Sequence, residues 1–97
     1  KLILTNPDAT QHNLLVLDRG ASVEEIGMAA NEMAKSPDGV KKHFIPKDKR
    51  ILHYTKLLDP NTSETLRFRA PSKPGTYPYL CTFPGHWILM KGEMIVK

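Results

Sequence analysis

The stretch "YPYLCTFPGHWILMKGEMIV", residues 77–96, carries the densest chemistry in this sequence. It holds the only cysteine, Cys81, and then His86 and Met90 within the next nine residues. Pro84 and Gly85 lie between the cysteine and the histidine and predict a turn. Because the turn folds the chain back, we expect a thiol, an imidazole and a thioether to lie close together.

These three side chains are soft donors, a set that favours copper. Thiolate and thioether sulfur together with imidazole is typical of copper sites, and a trigonal site of two histidines and one cysteine with a weak axial methionine is the blue-copper arrangement. The alternative is a buried structural thiol, which is the more common role of a lone cysteine. A blue-copper site also requires a second histidine from elsewhere in the chain.

The other histidines are His12, His43 and His53. His43 lies in a basic loop and is expected to be solvated, whereas His53 lies within a predicted strand. His12 begins the apolar run "HNLLVLD", directly after the break "NPDATQ". A residue at the start of a strand can meet a loop at the same end of a sheet, so we choose His12 and keep His53 in reserve.

The remaining pattern predicts an all-β sandwich with one helix. The expected strands cover residues 1–5, 12–18, 51–58, 64–70, 76–81 and 91–97. Residues 22–35 are predicted to form the helix, since Ser22 and Glu25 make a capping box. Its apolar stripe consists of Val23, Ile26, Ala30 and Met33.

Length and charge limit the function classes. The 97 residues correspond to one domain, 1–97, with a net charge of +4. No apolar run has the length of about 20 residues that a membrane span needs. The basic loop 41–50 lacks interleaved aromatic residues, so nucleic-acid binding is not expected. The positive charge favours an acidic protein partner.

The motif "CTFPGHWILMKGEMIV" closely resembles the azurin and auracyanin branch of the cupredoxins, the type 1 blue copper proteins. The spacing C-x4-H-x3-M belongs to that branch, and "QHNLLVL" resembles the strand that carries the first histidine ligand. The helix followed by "ILHYTKLL" also matches the order of such a domain. The resemblance covers nearly the whole chain and implies a Greek-key sandwich with a helical flap over residues 22–35.

The resemblance also implies roles for individual residues. His12, Cys81 and His86 would be the equatorial copper ligands, and Met90 would be the axial one. Asn13 would tie the two ligand loops together near Thr82, and the carbonyl of Gln11 would approach the metal from the opposite axis. An apolar docking patch would surround His86, and its expected members are Pro84, Gly85 and Trp87, with Ile88 at its margin.

The implied function is one-electron transfer by a periplasmic or otherwise extracytoplasmic bacterial carrier, not catalysis. Redox proteins such as c-type cytochromes would be the partners. Two alternatives stay open, namely an electron-transfer module of a larger redox enzyme and a copper storage or delivery protein. Zinc in the same site would be misloading.

The sequence also predicts a feature at its start. "KLILT" begins as a strand from Lys1, so we expect that one or two N-terminal strands of the sandwich lie upstream. An uncovered sheet edge tends to pair with another strand. Self-association through that edge is therefore expected.

Overall fold

The structure, a computed structural model, describes residues 1–97 as two antiparallel sheets and one α-helix. The helix α1 spans Val23–Met33, and a short 3-10 helix spans His86–Ile88. The strands are β1 Leu2–Asn6, β2 Leu15–Leu17, β3 Ile51–Tyr54, β4 Thr62–Leu66, β5 Gly75–Leu80 and β6 Lys91–Val96. The prediction of a mainly β sandwich with one helix is therefore confirmed.

The larger sheet has the order β3-β2-β5-β6, and β1 pairs with β4 in the smaller one. Strand β2 is short and fully buried, as its continuous apolar run predicts. Its first residue, Leu15, lies opposite Leu80, the last residue of β5. Residues just before β2 and just after β5 therefore meet at the same end of the sheet.

Three strands differ from the predicted ranges by two residues or more, and the other three by one residue. Predicted strand 12–18 is reduced to Leu15–Leu17, because His12 instead makes an isolated bridge with Leu58. Strand β3 ends at Tyr54, where the Thr55 hydroxyl accepts from the Leu14 N–H. Strand β4 begins two residues before its predicted start, at Thr62, because Asn61 turns the chain there with a φ of 61°.

Helix α1 begins at its predicted cap and ends two residues early. Ser22 Oγ accepts from the Glu25 N–H at 3.2 Å, as a capping residue does. The Glu25 carboxylate does not complete the box; it accepts from Arg50 Nη1 at 2.9 Å. Ile26 and Ala30 of the apolar stripe are buried, which places α1 against the larger sheet.

The main core cluster lies between α1 and the larger sheet. It consists of four fully buried residues: Leu15, Leu17, Ile26 and Leu80. It lies directly behind the sheet end at which β5 finishes, so it supports the segment 81–90. None of the helices has the length and apolar character needed to cross a bilayer.

Candidate metal centre

His12, Cys81 and His86 converge at the sheet end where β2 begins and β5 finishes. Cys81 Sγ lies 3.7 Å from His12 Nδ1 and 3.7 Å from His86 Nδ1. All three donor atoms lie within 4.8 Å of one another. The pairing of Leu15 with Leu80 explains the convergence, because it aligns the two segments that carry the donors.

The three donors fit a metal ion. Metal–sulfur and metal–nitrogen bonds to Cys and His measure about 2.0–2.3 Å. Two such bonds span a donor separation of 3.7 Å when they meet near the trigonal angle. Cys81 is only 3% exposed, which shields the thiolate from bulk water. The donor set of two imidazoles and one thiolate is the trigonal set of a type 1 copper site.

Backbone hydrogen bonds fold the segment from Cys81 to Met90 into a closed loop. Cys81 N–H donates to the Met90 carbonyl at 2.9 Å, and Met90 N–H donates to the His86 carbonyl at 2.8 Å. Gly85 has a φ of 84°, a conformation that favours glycine, and allows the turn into the 3-10 helix. The loop therefore places Met90 beside Cys81, where both line a cavity of about 420 Å³.

Asn13 ties the two donor segments together. Its Nδ2 donates to Thr82 Oγ1 at 2.7 Å, and its Oδ1 accepts from the Thr82 N–H at 2.7 Å. Nδ2 also donates to the His43 carbonyl at 2.9 Å. Asn13 and Thr82 are both buried, so these bonds are protected from competition with water. The link holds His12 and Cys81 in register.

The His12 ring has a second set of contacts that the sequence did not predict. Its Nε2 lies 2.9 Å from Asp8 Oδ2 and 3.3 Å from Thr10 Oγ1. Both residues belong to the break "NPDATQ", whose composition predicts only a turn. No sequence signal distinguishes Asp8 from an ordinary turn residue, so only the folded loop reveals its contact with His12.

The surroundings shift the pKa of two of the donors. Burial raises the pKa of the Cys81 thiol, and hydrogen bonds from the backbone N–H groups of Asn13 and Phe83 offset part of that rise. Burial, together with the neighbouring His12, lowers the pKa of His86. In the metal-free protein these effects favour a thiol and a neutral imidazole, so a metal must displace the thiol proton when it binds.

The two other histidines and the Gln11 side chain make separate contacts. His53 stacks on Phe68 with ring centroids 4.3 Å apart. His43 Nδ1 accepts from the Leu57 N–H at 3.1 Å. The Gln11 side chain donates to Asp59 Oδ1 at 2.7 Å. The structure therefore brings His12 to the cysteine and gives both other histidines separate contacts.

Trp87, an expected member of the docking patch, packs against helix α1. Its ring packs against Gly27 of α1 and against the core, so it is half-buried, and its Nε1 is buried without a hydrogen-bond partner. The most exposed apolar side chains that follow His86 in the chain are Ile88 and Leu89, which is 88% exposed. Pro84 is half-buried, and Gly85 is exposed.

Helix α1 also holds the loop through a polar contact. Asn31 Oδ1 accepts from the Gly85 N–H at 3.0 Å. Gly85 directly precedes His86, so this bond and the Trp87 contact both fasten the segment that carries the second histidine. The helix thus supports the metal-binding loop from one side.

Comparisons with known proteins agree with this geometry. The profile for copper binding proteins of the plastocyanin/azurin family matches residues 1–97. Auracyanin-A of Chloroflexus aurantiacus is 33% identical over 93 residues, which cover 95% of this chain and 55% of that protein. Azurin of Pseudomonas aeruginosa is 32% identical over 100 residues, covering 97% of this chain and 65% of that protein. This chain spans about half to two thirds of the length of these two relatives.

Solved structures show the same fold. The reduced auracyanin of Roseiflexus castenholzii superposes with a TM-score of 0.80 at 37% identity, covering 98% of this chain and 74% of that one. Auracyanin A of Chloroflexus aurantiacus, a "blue" copper protein, superposes with a TM-score of 0.83 at 31% identity, covering 98% of this chain and 75% of that one. This protein therefore belongs to the plastocyanin/azurin family of copper-binding proteins.

Proposed function

We propose that this chain is a one-electron carrier with a single type 1 copper site. The observation that supports it is the cluster of Cys81 Sγ with the Nδ1 atoms of His12 and His86, all within 4.8 Å. Bound copper would supply a Cu(II)/Cu(I) couple. No side chain in the cluster acts as a general base beside an open substrate position, so we assign a carrier role and no enzymatic activity.

Each donor has a role in this proposal. His12, Cys81 and His86 would hold the metal, and Met90 would be its weak fourth, axial donor. The role of Met90 is supported by its position, because it lines the same cavity as His12 and Cys81. The Gln11 carbonyl would approach the metal from the side opposite Met90. A trigonal site with one thiolate suits both oxidation states, whether or not the protein imposes that geometry.

Hydrogen bonds around the donors support fast electron transfer. Asn13 links its own segment to Thr82, and the Cys81 N–H bonds the Met90 carbonyl. These bonds restrain the donor segments independently of the metal charge. If the donors stay in place when the charge of the metal changes, the reorganisation energy of electron transfer stays small, because the protein dipoles are already oriented.

Electrons would enter and leave through the half-buried edge of His86. The docking surface we propose comprises Pro84, Gly85, Ile88 and Leu89 around that edge, with Trp87 supporting it from below. A small apolar surface suits the short-lived complexes of redox proteins. We propose redox proteins such as c-type cytochromes as partners. The net charge of +4 favours acidic partners. We also propose an extracytoplasmic location.

Copper addition tests the proposal directly. We expect Cu(II) to turn the protein intensely blue through thiolate-to-copper charge transfer, and chemical reduction and reoxidation to remove and restore the colour. Cys81→Ser should abolish the colour, whereas His53→Gln, which alters a histidine away from the cluster, should keep it. A colourless copper-loaded protein, or one that releases its copper on each reduction, would contradict the carrier role.

A further inference from the structure

We propose that Asp8 is a positioning residue of the metal site, which holds the His12 ring through Nε2 and strengthens His12 as a donor. This proposal rests on the proposed function only in taking His12 as a metal ligand. It assigns a role in the site to a residue of the β1–β2 connection that is not itself a donor to the metal.

Each of the two ring nitrogens of His12 has its own contact. Nδ1 faces Cys81 Sγ at 3.7 Å, and Nε2 lies 2.9 Å from Asp8 Oδ2. The ring is buried, with 7% of the residue exposed, so few other partners reach it. A proton on Nε2 donates to the carboxylate and leaves the Nδ1 lone pair free, so Asp8 favours the tautomer that can bind a metal through Nδ1.

A buried asparagine holds the Asp8 backbone in place. Asn6 Oδ1 accepts from the Asp8 N–H at 3.0 Å, and Asn6 Nδ2 donates to the Thr10 carbonyl at 2.8 Å and to the Leu58 carbonyl at 3.0 Å. Leu58 in turn bridges His12 through two backbone bonds. Although the Asp8 side chain is 63% exposed, its backbone is therefore fixed relative to His12.

Thr10 is the weaker partner of the same nitrogen. Its Oγ1 lies 3.3 Å from His12 Nε2, and a neutral hydroxyl accepts more weakly than a carboxylate. A carboxylate that accepts from a ligand imidazole makes that ring more basic, and such partners orient the ligand. The negative charge of Asp8 also favours the higher metal charge, so we expect it to favour Cu(II) over Cu(I).

Divalent zinc is the probe for ligand strength, because it binds thiolate and imidazole without redox chemistry. Asp8→Ala removes the acceptor and should lower the zinc affinity of the full chain about tenfold or more, the range seen when such partners are removed. Asp8→Asn keeps an oxygen acceptor and should have a smaller effect. Thr10→Val should have the smallest effect of the three.

Asp38→Asn is the matched control, since Asp38 is an exposed carboxylate on the loop after α1 and lies outside the cluster. It removes the same charge, so any general electrostatic effect appears in both variants and weakens with added salt. We expect Asp38→Asn to bind zinc as the wild type does. Equal losses in Asp8→Asn, Asp8→Ala and Asp38→Asn would overturn the proposal.

A second measurement uses the metal-free protein. Nitrogen-15 NMR at a pH where the ring is neutral should show the His12 proton on Nε2, and Asp8→Ala should produce a mixture of tautomers. The copper-loaded Asp8→Asn variant should be easier to reduce than the wild type, and the Asp38→Asn variant should not. If Asp8→Ala keeps both the wild-type zinc affinity and the wild-type tautomer, Asp8 does not position His12.

The two proposals fail in different ways. Zinc affinity and the His12 tautomer do not depend on electron transfer. A copper-loaded wild type that stays colourless would remove the carrier role and leave the Asp8 results standing. A blue protein in which Asp8→Ala keeps both the wild-type zinc affinity and the wild-type tautomer would overturn only the role of Asp8.

Discussion

Gly27 of α1 leaves the space that the indole of Trp87 fills. A Cβ at position 27 would lie 2.3 Å from both Cγ and Cδ2 of the Trp87 ring, at the base of the side chain where it cannot swing away. Trp87 directly follows His86, so the fit between helix and ring fixes the loop that carries a metal donor. The absence of a side chain at one helical position therefore shapes the metal centre.

Gly27→Ala should destabilise the protein despite the better helix propensity of alanine. Overpacking costs about 1–3 kcal/mol, and the gain in propensity offsets up to about 1 kcal/mol. We expect a net loss of up to about 2 kcal/mol in the free energy of unfolding, measured with urea. In a Trp87→Ala background the clash is absent, so Gly27→Ala should stabilise the protein. An equal effect in both backgrounds would contradict the contact.

Asn13→Ala should destabilise the protein by about 2–3 kcal/mol, because it leaves the buried Thr82 N–H without an acceptor. The colour of the copper-loaded variant should also change, since the cysteine and His12 segments lose their link. Urea unfolding and visible absorption measure the two effects. Gln11→Ala is the control; it removes only an exposed bond to Asp59 and should cost less than about 0.5 kcal/mol. Similar losses in the two variants would argue against the link.

Met90→Leu should keep the blue colour and raise the reduction potential. Leucine preserves the apolar volume but removes the weak axial sulfur, which donates to Cu(II) more than to Cu(I), and the axial ligand tunes the potential of such sites. Voltammetry of the copper-loaded protein measures the change. Met94→Leu, on β6, is the control and should leave the potential as it is. A potential that falls or stays constant in Met90→Leu would exclude the axial role.

Asp48→Asn should remove an acid-sensitive part of the stability. Hydrogen bonds from the Arg50 side chain and backbone lower the pKa of Asp48 from 3.8 to about 2. Because the folded-state pKa is depressed, Asp48 stabilises the protein above pH 3.8, and this contribution is lost as the pH falls toward 2. The effect should be small, since pairs near the surface contribute little.

Urea unfolding between pH 7 and pH 2 measures the Asp48 contribution. The wild type should lose more stability than Asp48→Asn over the acid range, so the two curves converge at low pH. Asp38→Asn again serves as the control. A constant difference between wild type and Asp48→Asn at every pH would show that the carboxylate contributes no pH-dependent stability.

Much of the centre was predictable because its signals are local. Cys81, His86 and Met90 lie in one turn-forming segment, so their proximity follows from chain geometry. The Ser22 cap and the stripe of Ile26 and Ala30 likewise depend on neighbours a few residues apart. Strand ends were less predictable, because β3 stops where the Thr55 hydroxyl accepts the Leu14 N–H in place of a backbone carbonyl.

The contact of Trp87 with α1 was not predictable, for a different reason. In the sequence Trp87 follows an exposed ligand and is bulky and apolar, which is typical of a docking surface. Its burial depends on Gly27, 60 residues earlier, and no local pattern connects the two. The most exposed apolar side chains of the proposed docking surface are therefore Ile88 and Leu89.

The sequence by itself determined the fold class, the copper-selecting donors of the last loop and the helix, because each depends on residue types at short spacing. Tertiary structure alone decided that His12 meets the cysteine while His53 stacks on Phe68, that Asp8 reaches His12 Nε2, and that Trp87 packs on α1. These contacts form only when strand pairing and core packing align segments that are distant in the sequence. The hydrophobic effect that drives this packing depends on the apolar area buried, so it does not specify which side chains will meet.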